Sequence, residues 1–545
     1  MSGALQEGLR RLRSERITRW AVAKPWQTNA ALIFLGFLML ALARQLISED
    51  DHYTIGTSGV SGWSVVVYVV ACFLILTQKI NRWTFPIILT FAIACRLVTL
   101  FPDPFLSSDV YRYAWDGVVQ HAHISPYRYV PGDKALTFLR APNQDLFDNM
   151  NRRDYAHTIY PPVAQMLFYV ITYINPSVTF MKMAMILFEG VTMWGLLQLL
   201  AAFGVRREQT LLYAWCPLVI WEIGGSGHLD SAAMAFIALA LLARYRRQPV
   251  ATGIFLGIAI MIKLYPLVLL PALFRRGEYK MPAIIAGIIA FGYACYSSVG
   301  LMVFGFLGGY VKEEGMETGT RYYLLDQAQH LPGLHNVSTV VYLGFAALVF
   351  GGLTLWCWQT CCRSEWNSTS AGSLQAGSGA LQAGSGALQA GGRAPLATRL
   401  FGLPPRADFL LPAFALAFAM MLLFSPHYPW YIAWLIPFLT LMPNLPVFTY
   451  VCALFYLCTT DLAVGYGPKQ FQLNQRLYGV VLLAVVLAAI LRRWPLHRYI
   501  FQRVTPAPLL LTPEACAAPL AAVPASIHAG GELRMDVDPA IRRGR

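Results

Sequence analysis

Long apolar runs follow one another along this chain, with only short polar breaks between them. Several approach or exceed the roughly 20 residues a helix needs to cross hydrocarbon: 28–47, 177–203, 281–307 and 337–361. The short alternating segments of a membrane barrel are not seen. The pattern predicts an all-α polytopic membrane protein with about 12 transmembrane helices and two partial or re-entrant elements. The partial elements are placed at 161–174, which is short for a span, and at 250–273, which reads as two short helices broken near Lys263-Leu264-Tyr265-Pro266 because proline breaks the ladder.

Composition supports this. Only 13% of the residues are charged, against about 25% in soluble domains. The net charge of +14 does not indicate nucleic acid, since the basic residues sit in short clusters between spans, as the positive-inside rule expects. The ten cysteines form no paired motif, so neither a disulfide framework nor a zinc site is expected. No nucleotide-binding loop and no metal-demanding acidic pair is present, so no cofactor is expected.

Charge also orients the chain. Residues 1–24 carry six basic side chains, and Leu5, Leu9 and Leu12 share one helical face; this reads as a basic interfacial helix on the inside. Three spans fill 25–101. The acidic loop Ser48-Glu49-Asp50-Asp51 lies outside, and 102–160 becomes a long first outer loop. A membrane core covers 161–361 with a second outer loop at 308–336. A Gly/Ser/Ala tandem inside 362–406 reads as a flexible cytoplasmic linker, four more spans fill 407–495, and 496–545 is a disordered cytoplasmic tail. Both termini are then inside.

This topology collects the unusual residues on the outer side: Asp109, Asp116, His157, His228, Asp230, the 308–336 loop, His427 and Asp461. A one-sided cluster of carboxylates, histidines and aromatics points to one site at the outer surface. The densest motif is Ser107-Ser108-Asp109-Val110-Tyr111-Arg112-Tyr113-Ala114-Trp115-Asp116-Gly117. As a helix it places Asp109, Arg112, Tyr113 and Asp116 on one face, with Ser107 or Ser108 as cap. Asp109, beside the positive helix end, can accept a proton from a sugar hydroxyl. The plainer alternative is a capped loop helix with an internal Asp–Arg pair. Gly227-His228-Leu229-Asp230 can equally be a turn capping a helix, and Pro426-His427-Tyr428-Pro429-Trp430-Tyr431 an aromatic belt. Lys263 and Arg96, deep in apolar surroundings, are either functional or paired with a carboxylate such as Glu189 or Glu222.

These motifs, with Ser125-Pro126-Tyr127-Arg128-Tyr129 and Thr158-Ile159-Tyr160-Pro161-Pro162, resemble those of bacterial GT-C-fold glycosyltransferases, and most nearly the polyprenyl-phosphomannose-dependent mannosyltransferases of glycosyltransferase family 87 and their relatives. The resemblance runs from about 30 to 495, outside the linker. It implies inverting transfer of a sugar, mannose by analogy, from a polyprenyl-phosphate donor to a lipid or glycan acceptor. The setting is the outer (periplasmic) face of a cytoplasmic membrane, among membrane lipids. Asp109 matches the catalytic carboxylate. Lys263, His427 and Arg321 are candidates for the phosphate, and Trp115, Tyr160 and Trp430 for packing on sugar or isoprenoid. Arg112, Tyr113, Asp116, His228 and Asp230 are candidates for substrate binding. The competing functions are a transporter or flippase for a lipid-linked glycan, and a non-catalytic subunit of a membrane complex.

Overall fold

The computed structural model describes residues 23–48, 60–104, 106–374, 396–457, 468–491 and 495–496. Most of the N-terminal segment 1–24, most of the tandem repeat, Asp461 and almost all of the tail 496–545 therefore lie outside the described residues. Helices dominate. Among the described residues the only extended pairing is an isolated bridge between Asn444 and Pro495.

The main helices are α1 (Pro25–Ser48), α2 (Val60–Thr77), α3 (Thr84–Leu100), α4 (Asp109–His121), α5 (Pro162–Ile174), α6 (Val178–Ala202), α7 (Asp230–Tyr245), α8 (Pro249–Ile262), α9 (Lys280–Cys295), α10 (Leu307–Glu313), α11 (Thr339–Leu374), α12 (Leu410–Phe424), α13 (Leu445–Leu457) and α14 (Pro468–Ile490). Among the described residues, five helices are long and apolar enough to cross a membrane: α1, α2, α6, the first part of α11, and α12 with the turn before it. Shorter apolar helices, including α3, α5, α8 and α13, pack among them.

The surface is that of a protein dissolved in lipid. Phe34, Phe37, Phe291, Leu301 and Leu348 are exposed, while α7 is buried along almost its whole length. With no hydrophobic drive between helices in lipid, close packing and polar pairs hold the bundle together. α7 sits between α6 and α8, and α8 in turn packs on α9. Inside the bundle Arg96 of α3 donates to Glu189 of α6, at 2.8 and 3.3 Å. This resolves the ambiguity over Arg96 in favour of a structural pair, with both charges desolvated and mutually compensated.

Two apolar runs differ from expectation. The break at 263–266 is present: α8 ends at Ile262, Lys263 is extended, and Pro266 lies in a short 3-10 turn, Tyr265–Leu269. The run 281–307, expected as one straight span, instead bends by 112° after Cys295. Its second half is a 3-10 segment interrupted at Gly300, whose φ of 57° suits a residue without a Cβ. Hydropathy counts apolar residues and does not register that bend. The span expected to stop at 361 also continues as helix to Leu374, and Leu396–Phe401 is helical. The expected linker is therefore helical at both described margins; at the first, propagating the existing helix adds one hydrogen bond per residue fixed.

Candidate active site

A cavity of about 600 Å³ opens between the 102–160 loop, α10, the 263–265 break and the 428–431 turn. That size suits a small-molecule pocket. Its lining mixes apolar Leu106, Leu264, Phe306, Leu307, Met316 and Met420 with polar Asp109, Arg112, Asn151, Arg152, His157 and Lys263, and Tyr160, Tyr310, Tyr428, Trp430 and Tyr431 add aromatic surface.

Asp109 is the first residue of α4 and is half-buried at this cavity. Ser108 occupies the cap position without a side-chain cap bond, and it is Ser107 Oγ that accepts from the Asp109 N–H, at 3.3 Å. Asn151 Nδ2 donates to Asp109 Oδ1 at 2.9 Å, and the Tyr160 hydroxyl donates to Oδ2 at 3.4 Å. Burial and the neighbouring Asp109 hold the Tyr160 phenol well above its ordinary pKa, so it stays protonated and donates. Two donors thus fix the orientation of a carboxylate that faces the cavity.

The rest of α4 is a mount for Asp109. Arg112 Nε pairs with Asp116 Oδ1 at 2.8 Å, and Arg112 Nη1 donates to the Ala156 carbonyl at 3.1 Å. Gln165 Nε2 of α5 donates to Asp116 Oδ2 at 2.9 Å and to Thr158 Oγ1 at 2.8 Å. Tyr113 stacks on Phe168 and meets Tyr160 edge-on. Trp115 is buried against Phe147. Tyr113, Trp115 and Asp116 therefore lie behind the cavity wall and do not line it. Spacing had put Asp116 on the Asp109 face; its charge is consumed inside the protein. Gly117 makes the closest contact in this mount. A Cβ there would stand 2.2 Å from Thr172 Oγ1 and 2.8 Å from the Phe168 carbonyl oxygen. Gly117→Ala is expected to force α4 off α5, lowering stability by about 1–3 kcal/mol and lowering turnover through the displaced Asp109. Thermal unfolding in detergent together with turnover of the variant checks this.

Lys263 lines the cavity, yet its Nζ is 2.6 Å from Oδ2 of the fully buried Asp230. Its carboxylate partner is thus neither Glu189 nor Glu222. Asp230 serves as that counter-ion and lies outside the lining. His228 is fully buried, 3.2 Å from Glu222 in a π-helical turn (Ile220–Gly225), and its ring stacks on Trp430 at 4.3 Å. It supports the aromatic wall from behind. Tyr428 and Trp430 stack at 4.5 Å within that wall. The aromatic turn thus lines a cavity, beyond any role in a membrane belt.

Arg321 and His427 also fall behind the wall. Arg321 Nη1 pairs with Glu314 Oε2 at 3.0 Å and Nε donates to the Phe424 carbonyl at 2.8 Å. His427 Nδ1 stands 3.4 Å from the same Glu314 oxygen. Burial, with Arg321 and Arg152 nearby, pushes the imidazole well below its ordinary pKa, so His427 is neutral. Neither is an open cation for a phosphate. Burial, opposed by Arg321, raises the Glu314 carboxyl from 4.5 to about 7. The folded protein then holds a proton there that the unfolded chain has lost. That contribution to stability is complete below about pH 4.5 and disappears as pH rises to about 7. Glu314→Gln is expected to flatten this part of a melting-temperature profile; an unchanged profile would refute it.

Asn151, Arg152, Tyr310, Glu313, Glu314 and Tyr431 were not singled out by sequence reasoning. The polar run Asn151-Arg152-Arg153 in the long 102–160 loop was the available signal. The two hydroxyls of Tyr310 and Tyr431 are hydrogen-bonded, joining α10 to the aromatic turn. Among the described residues no group of three or more His, Cys, Asp or Glu stands ready to hold a metal ion.

Comparison with known families agrees with this geometry. The family described as glycosyltransferase family 87 matches residues 158–426, from the Tyr160 segment to the aromatic turn. The family described as Alpha-(1->6)-mannopyranosyltransferase, N-terminal domain, matches residues 3–275, half of the chain, including Asp109 and Lys263. No curated protein and no solved structure matches. A multi-pass helical bundle, a carboxylate held in a cavity, and a match over half the sequence lead to one conclusion: the chain belongs to the alpha-(1->6)-mannopyranosyltransferase family and is a membrane mannosyltransferase.

Proposed function

We propose that the protein moves a mannosyl residue from a polyprenyl-phosphate donor to a hydroxyl of a lipid or glycan acceptor, with inversion, at the outer face of the cytoplasmic membrane. Asp109 is the general base. The observation that carries this reading is the pairing, in one cavity, of an oriented carboxylate with many apolar and aromatic lining residues. Such a lining suits an isoprenoid chain.

In the reaction the acceptor hydroxyl gives its proton to Asp109 as its oxygen bonds to the anomeric carbon. The bond from that carbon to the phosphate oxygen breaks on the opposite face, and the electron pair leaves with the lipid phosphate. Because phosphate is a good leaving group, the site needs positive charge more than a second acid. The scheme draws on no cofactor. The family description supports an α-(1→6) product, and the distribution of basic residues between spans supports the outward orientation.

The test is transfer by the purified protein in detergent or liposomes, given labelled polyprenyl-phosphate mannose or, separately, nucleotide-linked mannose. The expected result is product from the lipid donor alone. Product from the nucleotide donor alone would overturn the reading.

A further inference from the structure

Three cations line the cavity: Arg112, Arg152 and Lys263. They differ in what neutralises them. Lys263 is held by fully buried Asp230, and Arg112 by Asp116, which is also buried. Breaking either pair strands a desolvated carboxylate. Arg152 pairs with Glu313 of α10 at 2.8 Å, and there both side chains keep contact with solvent, at 25% and 30% exposure. A partly exposed pair contributes less than a buried one, and opening it strands no fully desolvated carboxylate.

Arg152 has φ 51°, in the left-handed region, which non-glycine residues adopt uncommonly. The same turn sends Asn151 to Asp109 and Arg152 to the cavity wall. Beside the cavity Arg112 Nη2 and His157 Nδ1 are buried and, among the described residues, lack a hydrogen-bond partner, which leaves hydrogen-bonding capacity close to it.

We propose that Arg152 is a ligand of the donor's phosphate, with Glu313 the carboxylate that the phosphate displaces from it. The inference rests on the lipid-phosphate reading of this same cavity. As the glycosidic C–O bond breaks, the phosphodiester monoanion becomes a monoester carrying close to two negative charges. A guanidinium at that position therefore acts more strongly on the transition state than on the bound donor. Glu313, freed from Arg152, turns to solvent.

The proposal predicts opposite signs for the two partners of one ion pair. Arg152→Gln is expected to lower kcat/KM for the lipid donor about 100-fold, with partial recovery in Arg152→Lys, which keeps charge but loses the fork. Glu313→Gln is expected to lower the donor KM at least about threefold, because it removes a competitor. A simple clamp between the two outer loops would instead make both substitutions harmful.

The experiment measures transfer kinetics and, separately, binding of sugar-free polyprenyl phosphate to the full-length protein in detergent, read by thermal shift. Weaker lipid-phosphate binding in Arg152→Gln with tighter binding in Glu313→Gln supports the assignment. Unchanged or weaker binding in Glu313→Gln overturns it, and that variant decides the matter even if Arg152→Gln fails to fold. Binding with the expected signs but transfer only from nucleotide-linked mannose would keep the phosphate site and sink the donor reading. No binding of polyprenyl phosphate by the unmodified protein would overturn both.

Discussion

Asp109→Asn is expected to lower mannosyl transfer by about 10²–10⁴-fold, the range that general-base catalysis supplies, while donor KM stays near that of the unmodified protein. The amide keeps the size and the acceptor oxygen, so the bond from Asn151 Nδ2, at 2.9 Å in the parent, is retained. What is lost is the proton acceptor. The fold is expected to hold, because Asp109 is half-buried and its two partners are neutral. Tyr160→Phe removes only one orienting donor and is expected to have a smaller effect. Initial rates with a labelled lipid donor decide the matter. Full transfer by Asp109→Asn would remove Asp109 as the base and with it the mechanism above.

The second large effect is one of stability. Lys263→Met leaves the Asp230 carboxylate fully buried without its ammonium partner, now 2.6 Å away. Among the described residues the other side-chain donor to Asp230 is the Tyr265 hydroxyl, at 3.4 Å. Removing one partner of a buried pair typically loses about 3–5 kcal/mol, while removing both is close to neutral. Lys263→Met is therefore expected to melt well below the parent in detergent, and Lys263→Met/Asp230→Asn to recover most of the loss. If the double variant is no more stable than the single, Lys263 is not the counter-ion of Asp230 in solution. The recovered double variant should also retain lipid-phosphate binding, since the phosphate is assigned to Arg152.

The contrast between these two residues shows which features were legible. Asp109 was found because its neighbours repeat at helical spacing, and a helix start is a local event that propensity and capping describe. Lys263 was found because a cation in an apolar run is conspicuous, and the break beside it because Pro266 forbids the ladder. The carboxylate neighbour of Lys263 is neither Glu189 nor Glu222 but Asp230, 33 residues away in sequence and 2.6 Å away in space. The sequence neighbours of Arg321 and His427 do not reveal Glu314, which pairs with Arg321 at 3.0 Å and stands 3.4 Å from the His427 ring.

By itself the sequence determined the class: a chain with such apolar runs and so few charges can satisfy its backbone only as a helical bundle in lipid. It also determined the helix bearing Asp109 and the resemblance that named the chemistry. Only the tertiary structure decided which charges remain available to a substrate. Asn151 meets Asp109 across 42 residues, and Arg152 meets Glu313 across 161. Whether a charged group is spent or available depends on what folding brings within about 4 Å of it, and on how much solvent it retains.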